Sequence, residues 1–253
     1  MKLKGKVALV TGGGTGMGRA ISLKFASEGC DIVINYSRRA KEAEETAEAA
    51  RKLGVRAFAV KADVSQDAEA RRLVEETVAK LGRLDILANN AGWTKYVPHR
   101  TLEKLTEEVL ERTWGVNVKG PLYVSRAAIP HMLKVGGGAI INTTSVAAFQ
   151  GAGSSVIYAA SKAALGTITK SLARAFAKDN IRVNAIAPGF LDTKFVDWPP
   201  EVVEKNIRIS PMGRIPTVED VANTALYLAC DATGVTAQTI FVDCGVTALQ
   251  PVV

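Results

Sequence analysis

Lys6-Val7-Ala8-Leu9-Val10-Thr11-Gly12-Gly13-Gly14-Thr15-Gly16-Met17-Gly18 is the stretch from which the rest of the chain is read. The apolar run 7–10 has the length and β-branched content of a buried strand. Glycines then turn the chain, residues 19–28 have a helical composition, and 30–35 is a second strand signal. Strand, turn, helix, strand is a crossover unit, and such crossovers build parallel sheets. The alternation continues, with helices expected at 39–53, 67–81, 106–135, 155–178 and 218–229. Strands are expected at 55–61, 84–88, 139–142, 181–186 and 239–242. Gly120-Pro121 and Pro130 lie inside the 106–135 stretch, and the pattern breaks for about twenty residues after Pro188. This predicts one α/β domain over residues 1–253: a doubly wound Rossmann-type fold with a seven-stranded parallel sheet and helices on both faces. Its ligand belongs at the carboxyl ends of the strands.

Composition narrows the classes. A chain of 253 residues with 47% hydrophobic residues can build a sizeable core and is not disordered. The net charge is +7, but Lys and Arg are interleaved with acids along the helical runs, so a nucleic-acid surface is not expected. Cys30, Cys230 and Cys244 lack metal-knuckle spacing and are expected to be reduced thiols. No metal is expected. The 7–10 run is too short for a signal-peptide core, and no stretch approaches the ~20 apolar residues of a membrane span. A cytoplasmic location is the expectation.

A glycine turn that opens a helix is a phosphate site, because bare backbone admits the anion and the helix N-terminus supplies N–H donors. Gly12 and Gly14 fit the first two places of G-x-G-x-x-G, but Met17 occupies the third. The pattern present is Thr11-Gly12-x-x-x-Gly16-x-Gly18. An acid about 20 residues further on would bind the ribose 2′-hydroxyl of NAD. This chain has Asn35-Tyr36-Ser37-Arg38-Arg39 there, so Ser37 and Arg38 favour a 2′-phosphate and hence NADP, with NAD still possible. Further along, Tyr158 and Lys162 are four residues apart on a predicted helix and share a face. An ammonium beside a phenol favours the phenolate, which makes the pair a candidate acid–base device.

Thr11-Gly12-x-x-x-Gly16-x-Gly18, Asn89-Asn90-Ala91-Gly92, Asn117, Ser145, Tyr158-x-x-x-Lys162 and Pro188-Gly189, in that order, resemble the short-chain dehydrogenase/reductase family over almost the whole chain. The resemblance implies an oxidoreductase that passes a hydride between a nicotinamide and a ketone or secondary alcohol. In it Tyr158 is the general acid or base and Ser145 hydrogen-bonds the same substrate oxygen. Lys162 lowers the Tyr158 pKa and holds the nicotinamide ribose, and Asn117 supports a water behind Lys162. Thr15, Gly16, Met17 and Gly18 belong to the phosphate turn. Asn90, Ala91 and Gly92 line the cofactor pocket, and Asp63 and Val64 contact adenine. Asp63 also has a competing role as a helix cap, for which Ser65 is better placed. Pro188, Gly189, Leu191 and Thr193 embrace the nicotinamide and pyrophosphate. Family members are usually homotetramers, which implies burial of the helices around Asn117 and Tyr158 and of the apolar tail 248–253.

The branch it resembles is that of the 3-oxoacyl-(acyl-carrier-protein) reductases, through residues 35–38 and 188–193. Two features depart from it: Pro130 interrupts a helix, and Cys244-Gly245 stands where a Gly-Gly pair is common. The irregular stretch 190–216 is the expected substrate lid. Trp93, Phe149 and Trp198 are candidate substrate contacts, and three aromatics suggest an apolar or cyclic ketone. His99 and His131 have no apparent partner. A non-catalytic nucleotide sensor remains an alternative, since fold does not fix function. Ser145, Tyr158 and Lys162 together argue against it.

Overall fold

The structure is a computed structural model that describes residues 1–191 and 199–249. The chain runs β1 (Val7–Val10), α1 (Gly16–Ser27), β2 (Asp31–Tyr36), α2 (Ala40–Lys52), β3 (Ala57–Lys61), α3 (Asp67–Leu81) and β4 (Ile86–Asn89). It continues with α4 (Glu107–Trp114), α5 (Gly120–Lys134), β5 (Gly138–Thr143), α6 (Ala147–Gln150) and α7 (Val156–Phe176). The last elements are β6 (Ile181–Pro188), α8 (Pro200–Ile209), α9 (Val218–Leu226) and β7 (Thr239–Val242). All seven strands form one parallel sheet in the order β3-β2-β1-β4-β5-β6-β7. The order reverses between β1 and β4, so the crevice of a doubly wound sheet opens there.

The near-continuous apolar strands follow from burial on both faces. One core layer joins β1 and β2 to α1, α2 and α9 through Ile21, Phe25, Ile32, Ile34, Ala47 and Val221. The other joins the sheet to α3 and α5 through Leu9, Leu73, Leu87, Val124, Met132 and Ile140. At the amino ends of β1 and β4, Asp85 accepts from the Val7 N–H at 3.0 Å and from Lys6 and Arg83. Burial pushes this carboxyl up, but the Arg83, Val7 and Lys6 bonds outweigh it and hold the group below its usual range.

Three expectations change. The 106–135 stretch is two helices joined by a π-turn at Gly115–Lys119, and α5 runs straight through Pro130. Proline removes one helical hydrogen bond, but its neighbours Ala128, Ile129 and Met132 are buried and tie that turn to the core. His131 does have a partner: its Nε2 lies 2.9 Å from Glu75 Oε1 on α3. Neither Asp63 nor Ser65 caps α3, whose N-cap position is Gln66. The cysteine sulfurs are unpaired. Cys244 adopts φ +55, the left-handed conformation that explains why glycine is common there.

Candidate active site

The carboxyl ends of the strands surround a cavity of ≈ 1050 Å³. That is at the upper end for ligand pockets and suits a dinucleotide with a small substrate. One end is the glycine turn. Gly12 has φ +61, and a Cβ there would lie 3.1 Å from Ala91 Cα. A Cβ on Gly18 would lie 2.1 Å from the Gly12 carbonyl oxygen, so the turn closes only with glycine at both places. Thr15 at the N-cap of α1 makes no side-chain capping bond, and the first turn carries no acid. Gly16, Met17 and Gly18 line the cavity there. The bare backbone cradle and free helix N-terminus fit a pyrophosphate.

Asn35, which the sequence reading gave no role, braces this turn together with Thr11 and Asn90. Asn35 Oδ1 accepts from the Gly12 N–H at 3.3 Å, while its Nδ2 donates to the Ala62 carbonyl at 3.0 Å. Thr11 Oγ1 accepts from the N–H groups of Asn90 and Ala91, each at 3.0 Å. Asn90 Nδ2 donates to the carbonyls of Thr11 and Gly12. Its Oδ1 is buried without a partner among the described residues. The signal for Asn35 was available: an amide in an otherwise apolar strand end must find partners when buried.

Ser37 and Arg38 line the cavity beyond β2, beside Arg39. Asp63 and Val64 line it beyond β3, together with Arg112 of α4, which the sequence reading missed. Arg112 Nη1 donates to Asp63 Oδ2 at 2.7 Å.

The other end holds the acid–base candidates. Ser155 caps α7, accepting from the Tyr158 N–H at 3.2 Å, so the first turn of that helix aims Tyr158 at the cavity. Ser145, in the turn before α6, hydrogen-bonds the Tyr158 phenol. Its Oγ also accepts from the Ala147 N–H at 3.2 Å. Lys162, 3% exposed, donates from Nζ to the Thr143 carbonyl at 2.7 Å and lies 5.7 Å from the Tyr158 ring centroid. Burial pushes the phenol up to about 12, and only the Ser145 bond draws it back. Burial also pushes the Lys162 ammonium down to about 8. The Lys162 ammonium is not among the influences that set the phenol in this structure. Desolvation dominates both groups, and the ammonium is engaged at the Thr143 carbonyl.

Gly92, Trp93, Pro188, Gly189 and Leu191 also line the cavity. Asn117 does not. It is buried in the π-turn, where Oδ1 accepts from the Trp93 N–H at 2.8 Å and Nδ2 donates to the Trp93 carbonyl and Ser161 Oγ. Its side chain fixes the Trp93 loop against α7. Phe149 is a second correction. Its ring packs edge-on to Phe241, with centroids 4.7 Å apart, and does not line the cavity. Thr193 and Trp198 lie outside the described residues. Helix α8 supplies Val202, Lys205, Asn206 and Ile209 to the wall.

A family model described as Enoyl-(Acyl carrier protein) reductase matches residues 12–247. General stress protein 39 of Bacillus subtilis (strain 168) is 40% identical over 247 residues, 96% of this chain and 85% of that protein. The 3-oxoacyl-(acyl-carrier-protein) reductase FabG of Staphylococcus aureus (strain N315) is 38% identical over 242 residues, 95% of this chain and 97% of that one. A crystal structure from Sinorhizobium meliloti 1021, provisionally named a short-chain alcohol dehydrogenase, superposes with a TM-score of 0.92 at 32% identity, covering 98% of both chains. Among the described residues no helix is long and apolar enough to cross a membrane. The chain belongs to the short-chain dehydrogenase/reductase family, in the branch resembling the 3-oxoacyl-(acyl-carrier-protein) reductases, and is an oxidoreductase acting on CH–OH and C=O groups.

Proposed function

We propose that the protein is an NADP-dependent ketone reductase or alcohol dehydrogenase with Tyr158 as its acid and base. The observation that carries this is the Ser145–Tyr158 hydrogen bond on the wall of a cavity that continues to the glycine turn. When bound, the nicotinamide supplies or accepts the hydride. The chain's own groups manage the proton. Tyr158 donates to the carbonyl oxygen in reduction and takes the proton back in oxidation. Ser145 donates to the same oxygen and stabilises the charge that develops there. A phenol near 12 stays protonated at neutral pH, which favours reduction. Lys162 holds the nicotinamide ribose and places a positive charge behind the phenol. Asn117 acts indirectly, by holding the Trp93 loop.

In this reading the 190–216 stretch is the substrate lid of a single domain over 1–253. Trp93 with Val202 and Ile209 of α8 gives the substrate side an apolar wall, which suits an apolar ketone. A second reading is a 3-oxoacyl thioester substrate, favoured by relatives named as reductases of that class.

Ser37 and Arg38 read the 2′-phosphate of NADP. A charge-assisted hydrogen bond contributes about 1.5–3 kcal/mol, or roughly 10- to 150-fold in preference over NAD. Arg38→Ala should raise the KM for NADPH about tenfold or more and leave that for NADH nearly unchanged. Saturation curves for wild type and variant with both cofactors test this. Equal losses would show that Arg38 does not read the phosphate.

We also propose a homotetramer. Leu110, Trp114 and Leu122 on α4 and α5 and Val156 on α7 are exposed, as are Phe149 and Phe241 near the C-terminal strand. Exposed apolar side chains on the helices that family members bury in their tetramers support a partner surface here. Sedimentation at micromolar concentration should give four chains per particle, and a monomer alone would remove the proposal.

A further inference from the structure

One ion pair on the cavity wall joins segments far apart in sequence. Arg112 Nη1 donates to Asp63 Oδ2 at 2.7 Å and to Ser65 Oγ at 3.1 Å. Asp63 Oδ1 accepts from the Ser65 N–H at 3.0 Å and from the Ser65 hydroxyl at 2.7 Å. The Asp63 N–H is itself fixed by Glu69 Oε2 at 2.7 Å. The carboxylate is therefore held at both oxygens and at its backbone. A carboxylate offers about four lone-pair sites. Among the described residues three are occupied, and the one left is on Oδ2, the oxygen that Arg112 holds.

The pair is a poor stability device. The side chains of Arg112 and Asp63 are 31% and 29% exposed, and ion pairs that see solvent add little. What it does is orient. Burial alone pushes the Asp63 carboxyl up, and the Arg112 and Ser65 bonds more than reverse that. Both partners line the cavity beyond β3, as do Val64, Ser37 and Arg38. A fixed acceptor at that end selects a ligand edge that carries an N–H donor.

We propose that Arg112 is a positioning residue for the purine end of the cofactor, holding the Asp63 carboxylate so that its remaining lone pair accepts from the exocyclic 6-amino group of adenine. This rests on the reading that Asp63 faces adenine. Without Arg112 only Oδ1 stays fixed, by Ser65; Oδ2 loses the bond that sets its direction, and the pocket loses discrimination between an amino and an oxo group at position 6.

The test is fluorescence titration of the purified protein with NADPH and with its hypoxanthine analogue, in which a 6-oxo group replaces the 6-amino group. Wild type should bind NADPH about tenfold or more tighter than the analogue. Arg112→Ala should weaken NADPH about fivefold or more, change the analogue less than about twofold, and bring the ratio toward one. Arg112→Lys should restore part of the preference, and Arg112→Gln, a milder change, is read in the same way as Arg112→Ala. Equal weakening for both cofactors would make Arg112 merely structural and overturn the proposal. A wild-type preference that survives intact in Arg112→Ala and Arg112→Gln would overturn it too, while leaving Asp63 at the adenine. A wild type without preference would overturn the adenine reading of Asp63 and the role of Arg112 with it.

Discussion

Tyr158→Phe is expected to lower turnover at least ~100-fold, the lower end for loss of a general acid or base, with NADPH affinity within about twofold of wild type. The substitution removes one oxygen and keeps the ring. The bonds that seat this turn of α7 are made by backbone atoms: the Tyr158 N–H donates to Ser155 Oγ, and the Tyr158 carbonyl accepts from Ser161 Oγ at 2.7 Å. Both survive. Ser145 loses its phenol partner but keeps the Ala147 N–H, so it still reaches the substrate oxygen. Steady-state kinetics beside a fluorescence titration separate proton transfer from binding. Near-normal turnover would remove Tyr158 from the chemistry. A parallel loss of NADPH affinity would show that the residue shapes the pocket instead.

Lys162→Met is expected to lower turnover at least ~100-fold and, at neutral pH, to make the fold more stable. Lys162 is 3% exposed, and its ammonium has the Thr143 carbonyl as its hydrogen-bond partner. Its pKa falls from the ordinary 10.5 to about 8 because burial penalises the charge. Between those values the unfolded chain binds more protons than the native one, so this lysine's contribution makes stability rise with pH there. Its cost is fully present below about pH 8. That cost is on the order of 3 kcal/mol, and loss of the Thr143 hydrogen bond takes back about 1. A net gain of about 2 kcal/mol raises Tm by roughly 4–8 °C. The gain should shrink as pH rises from 8 toward 10. Thermal melts of both proteins at pH 7 and pH 10 check the sign. An equal or lower Tm for the variant at pH 7 would mean that the buried charge has a counter-charge in solution. In wild type, the same titration should make kcat/KM for reduction fall as pH rises through about 8.

The fold was legible because parallel strands buried on both faces are near-continuous apolar runs that alternate with helical runs rich in charged residues. The Tyr158–Lys162 relation was legible because helical periodicity fixes it locally. What the sequence hid lies between segments. Arg112 reaches Asp63 across 49 positions, and His131 reaches Glu75 across 56, so no local pattern carries either pair. Phe149 sits four residues after Ser145, but α6 turns its ring toward Phe241. Pro130 signalled a break, yet the buried faces of its neighbours keep α5 whole. The balance at Tyr158 and Lys162 was not legible from spacing: proximity suggests charge coupling, whereas burial is the largest influence on both pKa values in this structure.

Hydride transfer between NADP and a carbonyl carbon under the proton control of Tyr158 leaves a label that can be followed directly. The most direct measurement uses NADPH carrying deuterium at both hydrogens of nicotinamide C4, incubated with wild type and a panel of apolar ketones and a 3-oxoacyl thioester. The alcohols formed are then analysed by mass spectrometry. With wild type an alcohol should gain one deuterium at its carbinol carbon, and this product should fall at least ~100-fold with Tyr158→Phe. Cofactor oxidation without deuterium in any product would contradict the account, as would equal labelling by the two proteins.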